Sequence, residues 1–350
     1  MRRIAVLVAV AFLFLGFATN GALAANPVPK KAGICLDDIS TDKGWNEQAK
    51  VGLQQAGKKW GFEVVVAERL GYGDIKPVLR DMAGKKCEFI YAHASGYVTM
   101  SLDFVKEGHG VKMVTDEGGK KALEAAPGMV SDLGIKCGPG GYAAGVLAGR
   151  MTRSNIVAVV SSAESNTACR LISGFVQGLK ATNPDSKFIY NLIGQAAFGD
   201  AAGAKRNTED AIAAGADVIF GHGDGASFGM LQGCSLKKAK DGGKAWFIDY
   251  IGNKTSMDKA DVLLSSCVMD WSVVFDEIVQ TIVDGTFGQA HYLQYPGSIY
   301  LIPPNKAVPQ AVLDELDAVQ KKIVAGKIQV VDIPLPADMH AYMKETFPRK

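Results

Sequence analysis

At 350 residues, 48% of them apolar, the chain is long for one hydrophobic core and comfortable for two. Its 38 basic and 36 acidic residues nearly cancel, and no basic block stands out, which excludes nucleic acid and anionic membrane surfaces as expected partners. Six widely spaced cysteines without a C-x-x-C pair exclude a zinc ribbon or thioredoxin-like motif, and leave buried thiols and disulfides both open.

Arg2 and Arg3 precede an apolar run from Ile4 to Phe17 and a small-residue site, Ala22-Leu23-Ala24, the pattern of a cleavable signal peptide over 1–24. No later stretch offers about 18 consecutive apolar residues, so no spanning helix is expected. Ala25 and Asn26 follow the cleavage site and the first cysteine is Cys35, so the expectation is a free periplasmic protein without a lipid anchor. Beyond it, strand-like and helix-like patterns alternate, which predicts parallel sheets wrapped by helices. Ala32–Leu36 reads as a buried strand. Ala49, Gly52, Leu53, Ala56 and Trp60 then recur at helical spacing up to Gly61. Further strands are predicted at Phe62–Ala67, Glu88–Ala92, Lys112–Thr115 and Met129–Ser131.

A second series runs through Ile156–Ser161, Lys187–Ile193, Asp217–Phe220, Trp246–Ile248 and Val262–Ser266. Two similar α/β halves, Rossmann-like lobes joined by a hinge, follow from that repetition. The Gly-rich stretch Gly134–Gly141 marks the first crossover and the segment after Ser266 the return. The predicted division is 30–135 with 267–305 for the N-terminal lobe, and 136–266 with 306–345 for the C-terminal lobe. Lys306–Lys327 reads as a last amphipathic helix before a C-terminal tail.

Ligands of open α/β sheets sit beyond the carboxyl ends of the strands. Side chains able to grip a ligand recur there in both halves: Asp42, Trp45 and Asn46, then Tyr97, then Phe198, then His222 and Asp224, then Asp249. Each also has a plainer reading. Asp249 can cap a helix, Asp42 and Lys43 can form a local turn and ion pair, and Trp45 and Phe198 can be packing aromatics.

The stretch Asp42-Lys43-Gly44-Trp45-Asn46 followed by Gly52 resembles the D-K-G-F-N…G signature of the basic membrane protein family, binding proteins of ABC importers. The resemblance continues at Gly141-Tyr142-Ala143-Ala144-Gly145, Gly174-Phe175…Gly178, Phe198-Gly199-Asp200, Gly215–Phe220 and Phe247-Ile248-Asp249. It implies a type I periplasmic-binding fold that closes on a purine nucleoside or nucleobase. It further implies an ABC transporter permease as partner, no cofactor and no enzymatic activity. Carried over position by position, Trp45 and Phe198 become the stacking walls, Asn46 meets the base edge and Asp249 the sugar diol. Two departures stand out. Ser266-Cys267-Val268-Met269 replaces the family's S-V-V-K, removing a lysine, and Tyr250 follows Asp249 where the family repeats D-Q. The alternatives are another small solute, such as a sugar, flavin or signalling molecule feeding a transporter or a sensor, and a serine hydrolase. Gly225-Ala226-Ser227-Phe228-Gly229 fits G-x-S-x-G, but Ser227 lies seven residues past its strand. Gly221–Ala226 fits a dinucleotide fingerprint, though not in a first strand-to-helix turn. The five histidines show no metal spacing, and nothing argues against a monomer.

Overall fold

The computed structural model describes residues 26–348 except positions 196, 290, 294–298 and 303; the signal-peptide expectation lies outside the described residues. The first half runs β1 (Lys31–Leu36), α1 (Trp45–Trp60), β2 (Glu63–Ala67), α2 (Lys76–Gly84), β3 (Phe89–His93), α3 (Val98–Lys106), β4 (Lys112–Asp116), α4 (Gly119–Ala125) and β5 (Val130–Gly134). The second repeats the alternation: α5 (Gly138–Met151), β6 (Ile156–Ser161), α6 (Asn166–Thr182), β7 (Lys187–Leu192), α7 (Ala201–Ala214), β8 (Val218–His222), α8 (Ala226–Leu236), β9 (Trp246–Ile251) and β10 (Leu263–Met269). The chain closes with α9 (Trp271–Val283), β11 (His291–Leu293), β12 (Ile299–Leu301), α10 (Gln310–Val324) and α11 (Pro336–Thr346).

The two sheets have the same internal order. One reads β11-β5-β4-β3-β1-β2 and the other β12-β10-β9-β8-β6-β7, and every pairing within them is parallel except β12 on β10. Near-continuous apolar strands such as Ile156–Ser161 suit this, because helices cover both faces of a parallel sheet.

The expected division needs one amendment. The stretch 267–305 is shared between the sheets: α9 packs on α1 and β11 extends the first sheet, but β10 runs on to Met269 and β12 joins the second sheet. The residues after 327 are not simply a tail. They form α11 against α6, with Pro336 in its first turn and Met339 and Met343 buried one turn apart.

The glycine motifs of α5 and α6 act on packing. A Cβ on Gly145 would stand 2.1 Å from the carbonyl oxygen of Phe175, and one on Gly174 2.1 Å from that of Gly138. The helices therefore meet backbone to backbone, which only glycine permits at those crossings. All six cysteines are buried free thiols.

Candidate functional site

A cavity of about 550 Å³ lies between the carboxyl ends of the two sheets, where open α/β folds place their ligands. The first lobe contributes the loop after β1, the start of α1 and the ends of β3 and β4. The second contributes the start of α6, the loop before α7 and the ends of β8 and β9. Six of the eight expected residues, Asp42, Trp45, Asn46, Phe198, His222 and Asp224, line it.

Each is held by a different device. The carboxylate of Asp42 accepts from the backbone N–H of Gly44 (2.9 Å), Asn46 (2.9 Å) and Glu47 (3.0 Å), and from Asn46 Nδ2 (3.1 Å). It thus satisfies the free amides that open α1, where a negative charge also meets the helix dipole. Its oxygens being committed, Asp42 shapes the cavity by fixing the helix that carries Trp45 and Asn46. Lys43, read as a possible ion-pair partner of Asp42, pairs instead with Glu47 one turn away (2.9 Å).

The Trp45 indole stacks on the His93 imidazole at 4.4 Å and 16°, with the buried Trp271 edge-on at 5.3 Å. His93 is itself fixed: Nε2 lies 3.1 Å from the Trp45 carbonyl, and Nδ1 lies 2.6 Å from Tyr91 Oη and 3.1 Å from Asp116 Oδ2. Tyr91 donates to Asp116 Oδ1 (2.7 Å). Burial pushes the Asp116 carboxyl above its usual range, against the hydrogen bond from His93. His93 is the last residue of β3. Its role as the backing of Trp45 has no sequence signal.

On the opposite side, Phe198 meets the edge of His222 at 6.0 Å and 79°, and its carbonyl accepts from the Ala226 amide (2.7 Å). His222 is buried, with Nδ1 3.0 Å from Ser161 Oγ. Burial lowers its pKa to about 4, so the ring is neutral at physiological pH.

Asp224 reaches across the cleft. Its Oδ1 accepts from the Trp45 backbone N–H at 3.0 Å, and a Cβ on Gly44 would collide with that oxygen at 2.5 Å. Burial and the neighbouring Asp42 raise its carboxyl to about 7. Two further ties join the lobes. Arg170 of α6 pairs with Glu117 after β4 (3.1 Å), and Lys254 Nζ donates to the Lys43 carbonyl (3.2 Å).

Two expected residues are placed elsewhere. Tyr97 is fully buried, and its hydroxyl donates to the Gly71 carbonyl; its ring serves the first-lobe core. Asp249 is fully buried under the cavity, bound to Lys254 Nζ at 2.6 Å. Burial raises its carboxyl and the Lys254 charge opposes that rise. Lys254 was not anticipated, since a lysine in the polar loop Gly252-Asn253-Lys254 reads as solvated. The residue beside that loop, Ile251, lines the cavity with φ of 125°, a conformation costly for a β-branched residue.

The enzyme-like motifs dissolve into structure. Ser227 donates to the Gly223 carbonyl within the start of α8, and Asp249 faces Lys254. Among the described residues, no group of three or more His, Cys, Asp or Glu could hold a metal ion. Among them, too, no helix is long and apolar enough to cross a membrane.

Comparison with known proteins agrees with this architecture. The family model described as Bmp, ABC transporter substrate-binding protein PnrA-like, matches residues 30–333. A purine-binding protein of Brucella abortus is 23% identical over 328 residues, covering 91% of this chain and 88% of its own. An ABC transporter nucleoside-binding protein of Lactococcus lactis is 27% identical over 205 residues, 54% of this chain and 56% of its own. The solved structure of an ABC transporter solute-binding protein from Conexibacter woesei superposes with a TM-score of 0.73 at 20% identity, covering 87% of this chain and 99% of its own.

Proposed function

This chain belongs to the Bmp family of PnrA-like ABC transporter substrate-binding proteins, and from that premise we propose that its cavity binds a purine nucleoside or nucleobase. A substrate-binding protein of this family takes a small solute and serves a transporter permease, outside the cytoplasm. The finer reading is a monomeric periplasmic protein released from its signal peptide without a lipid anchor.

One observation carries the ligand class. Trp45 and Phe198 line the same cavity from opposite lobes, and the Trp45 ring is already braced by His93 and Trp271. A flat heteroaromatic ligand offers two π faces to such walls, each contact worth about 0.5–1.5 kcal/mol beyond area burial. The names of the Brucella and Lactococcus relatives point the same way. A sugar site would be lined by more hydrogen-bonding groups and fewer rings.

Recognition of ribose rests on weaker ground. Asp249, the residue expected at the sugar diol, spends Oδ2 on Lys254 beneath the cavity, and Met269 occupies the family's lysine position. A free base is therefore expected to bind at least as well as its nucleoside.

The test is a thermal-shift screen of refolded, ligand-stripped mature protein against nucleosides, nucleobases, flavins, sugars and amino acids. A ligand at 100 times its Kd adds about 2.7 kcal/mol of stability. Stabilisation by purines supports the reading. Stabilisation by sugars or amino acids alone keeps the fold and the family and removes the purine.

A further inference from the structure

The polar lining of the cavity combines carboxylates with groups that can donate, among them Ser95, Ser165 and Asn166. Among the described residues no lysine or arginine lines it, and several of its acidic groups are already engaged by protein donors. Asp42 holds the amides of α1, Asp116 holds Tyr91, Glu117 holds Arg170, and Asp224 holds Trp45. Beside those donors, the lining side chains keep acceptors that no protein donor reaches.

Asn46 provides one. Its Nδ2 donates to the Asp42 carboxylate, which fixes the orientation of the amide because a carboxylate only accepts. Its Oδ1 then has no donor, and neither has Asp37 Oδ1. His222 provides the third by a longer route. The single hydroxyl proton of Ser161 goes to the Ala163 carbonyl at 2.8 Å, so the Ser161 oxygen receives a proton from His222 Nδ1 at 3.0 Å. The imidazole proton therefore sits on Nδ1 and the lone pair on Nε2, which has no hydrogen-bond partner among the described residues. The ring's neutrality keeps that lone pair available at physiological pH.

We propose that His222 is a specificity-determining acceptor, so that the cavity selects heteroaromatic ligands carrying an amino group over those that offer only an oxo group. The proposal rests on the purine reading and narrows it. An amino group donates to Nε2. An oxo group sets lone pair against lone pair and leaves two desolvated acceptors unpaired, and sites built around a hydrogen bond reject ligands that cannot form it.

Titration calorimetry of the ligand-stripped mature protein with adenosine, guanosine and inosine decides it, since inosine alone lacks an exocyclic amine and keeps only the ring N1–H as a donor on its base. At least one amino purine should bind about ten-fold or more tightly than inosine, and His222→Phe should erase that ratio. Ser161→Ala, which removes the acceptor for Nδ1–H without touching the lining, should reduce it and covers the case in which His222→Phe does not fold. Inosine binding as tightly as both amino purines, or a ratio unchanged in both variants, overturns the proposal and leaves the purine reading standing. If none of the three binds, the purine reading falls, and nitrogen NMR of the labelled imidazole decides the acceptor separately: a bare Nε2 supports it and a protonated Nε2 overturns it.

Discussion

Trp45 and Phe198 face one cavity from opposite lobes, and they are held in opposite ways. The first-lobe wall is a stack: indole on imidazole, a second indole at its edge, and a helix start capped by Asp42 beneath it. The second-lobe wall is a loop residue touching the edge of one histidine, in a lobe that also buries an ion pair, Asp249–Lys254, whose side chains are 0% exposed. A braced wall keeps its shape without ligand. A lobe that buries a charge pair depends on both partners staying in place.

The largest effect expected from that difference is on stability. Lys254→Met strands the Asp249 carboxylate in the interior and should cost about 3–5 kcal/mol in urea unfolding, whereas pairing it with Asp249→Leu should recover most of the loss. Equal losses in the single and double variants would mean that the stranded carboxylate is not what destabilises the second lobe. Next comes affinity. Trp45→Ala should weaken a flat aromatic ligand by about 2–3 kcal/mol and Phe198→Ala by about 1 kcal/mol, both read by calorimetry. The reverse order would assign the preformed half of the site to the second lobe.

The smallest effect concerns the tie between the walls. Asp224 titrates at about 7 in the folded protein against an ordinary 3.8, so between those values the folded state holds a proton that the unfolded state has lost. Stability must then fall as pH rises through that window. From pH 6 to pH 8 the loss attributable to Asp224 should be about 1 kcal/mol. Asp224→Asn, which keeps an acceptor for the Trp45 amide, should flatten that part of the profile. A profile identical in wild type and variant would place the titration elsewhere.

Much of the architecture was legible because parallel strands in a covered sheet are written as short apolar runs. Ile156–Ser161 emerged at its observed bounds and Ala32–Leu36 within one residue of β1. The short strands β11 and β12 were not read, being three residues each with no period to register. The cavity was legible to the extent that ligand-facing residues follow strands, which brought six of eight together. The misplaced pair shows the limit. Tyr97 follows β3 as a lining residue should, yet its ring turned into the core, and Asp249, expected just past its strand, lies inside β9 and faces a lysine five residues on. Strand position predicts which end of the sheet a side chain occupies and carries nothing about its partner. His93 illustrates the converse, since a stack is a relation between two distant residues that neither one announces.

The bond from Asp224 ends on the main chain of residue 45 and not on its ring. The side chain that would touch the ligand is thereby free of any duty in joining the lobes. A substitution at this position can exchange one aromatic surface for another while the clasp between the lobes keeps the same atoms, so the repertoire of solutes can drift without rebuilding how the protein shuts.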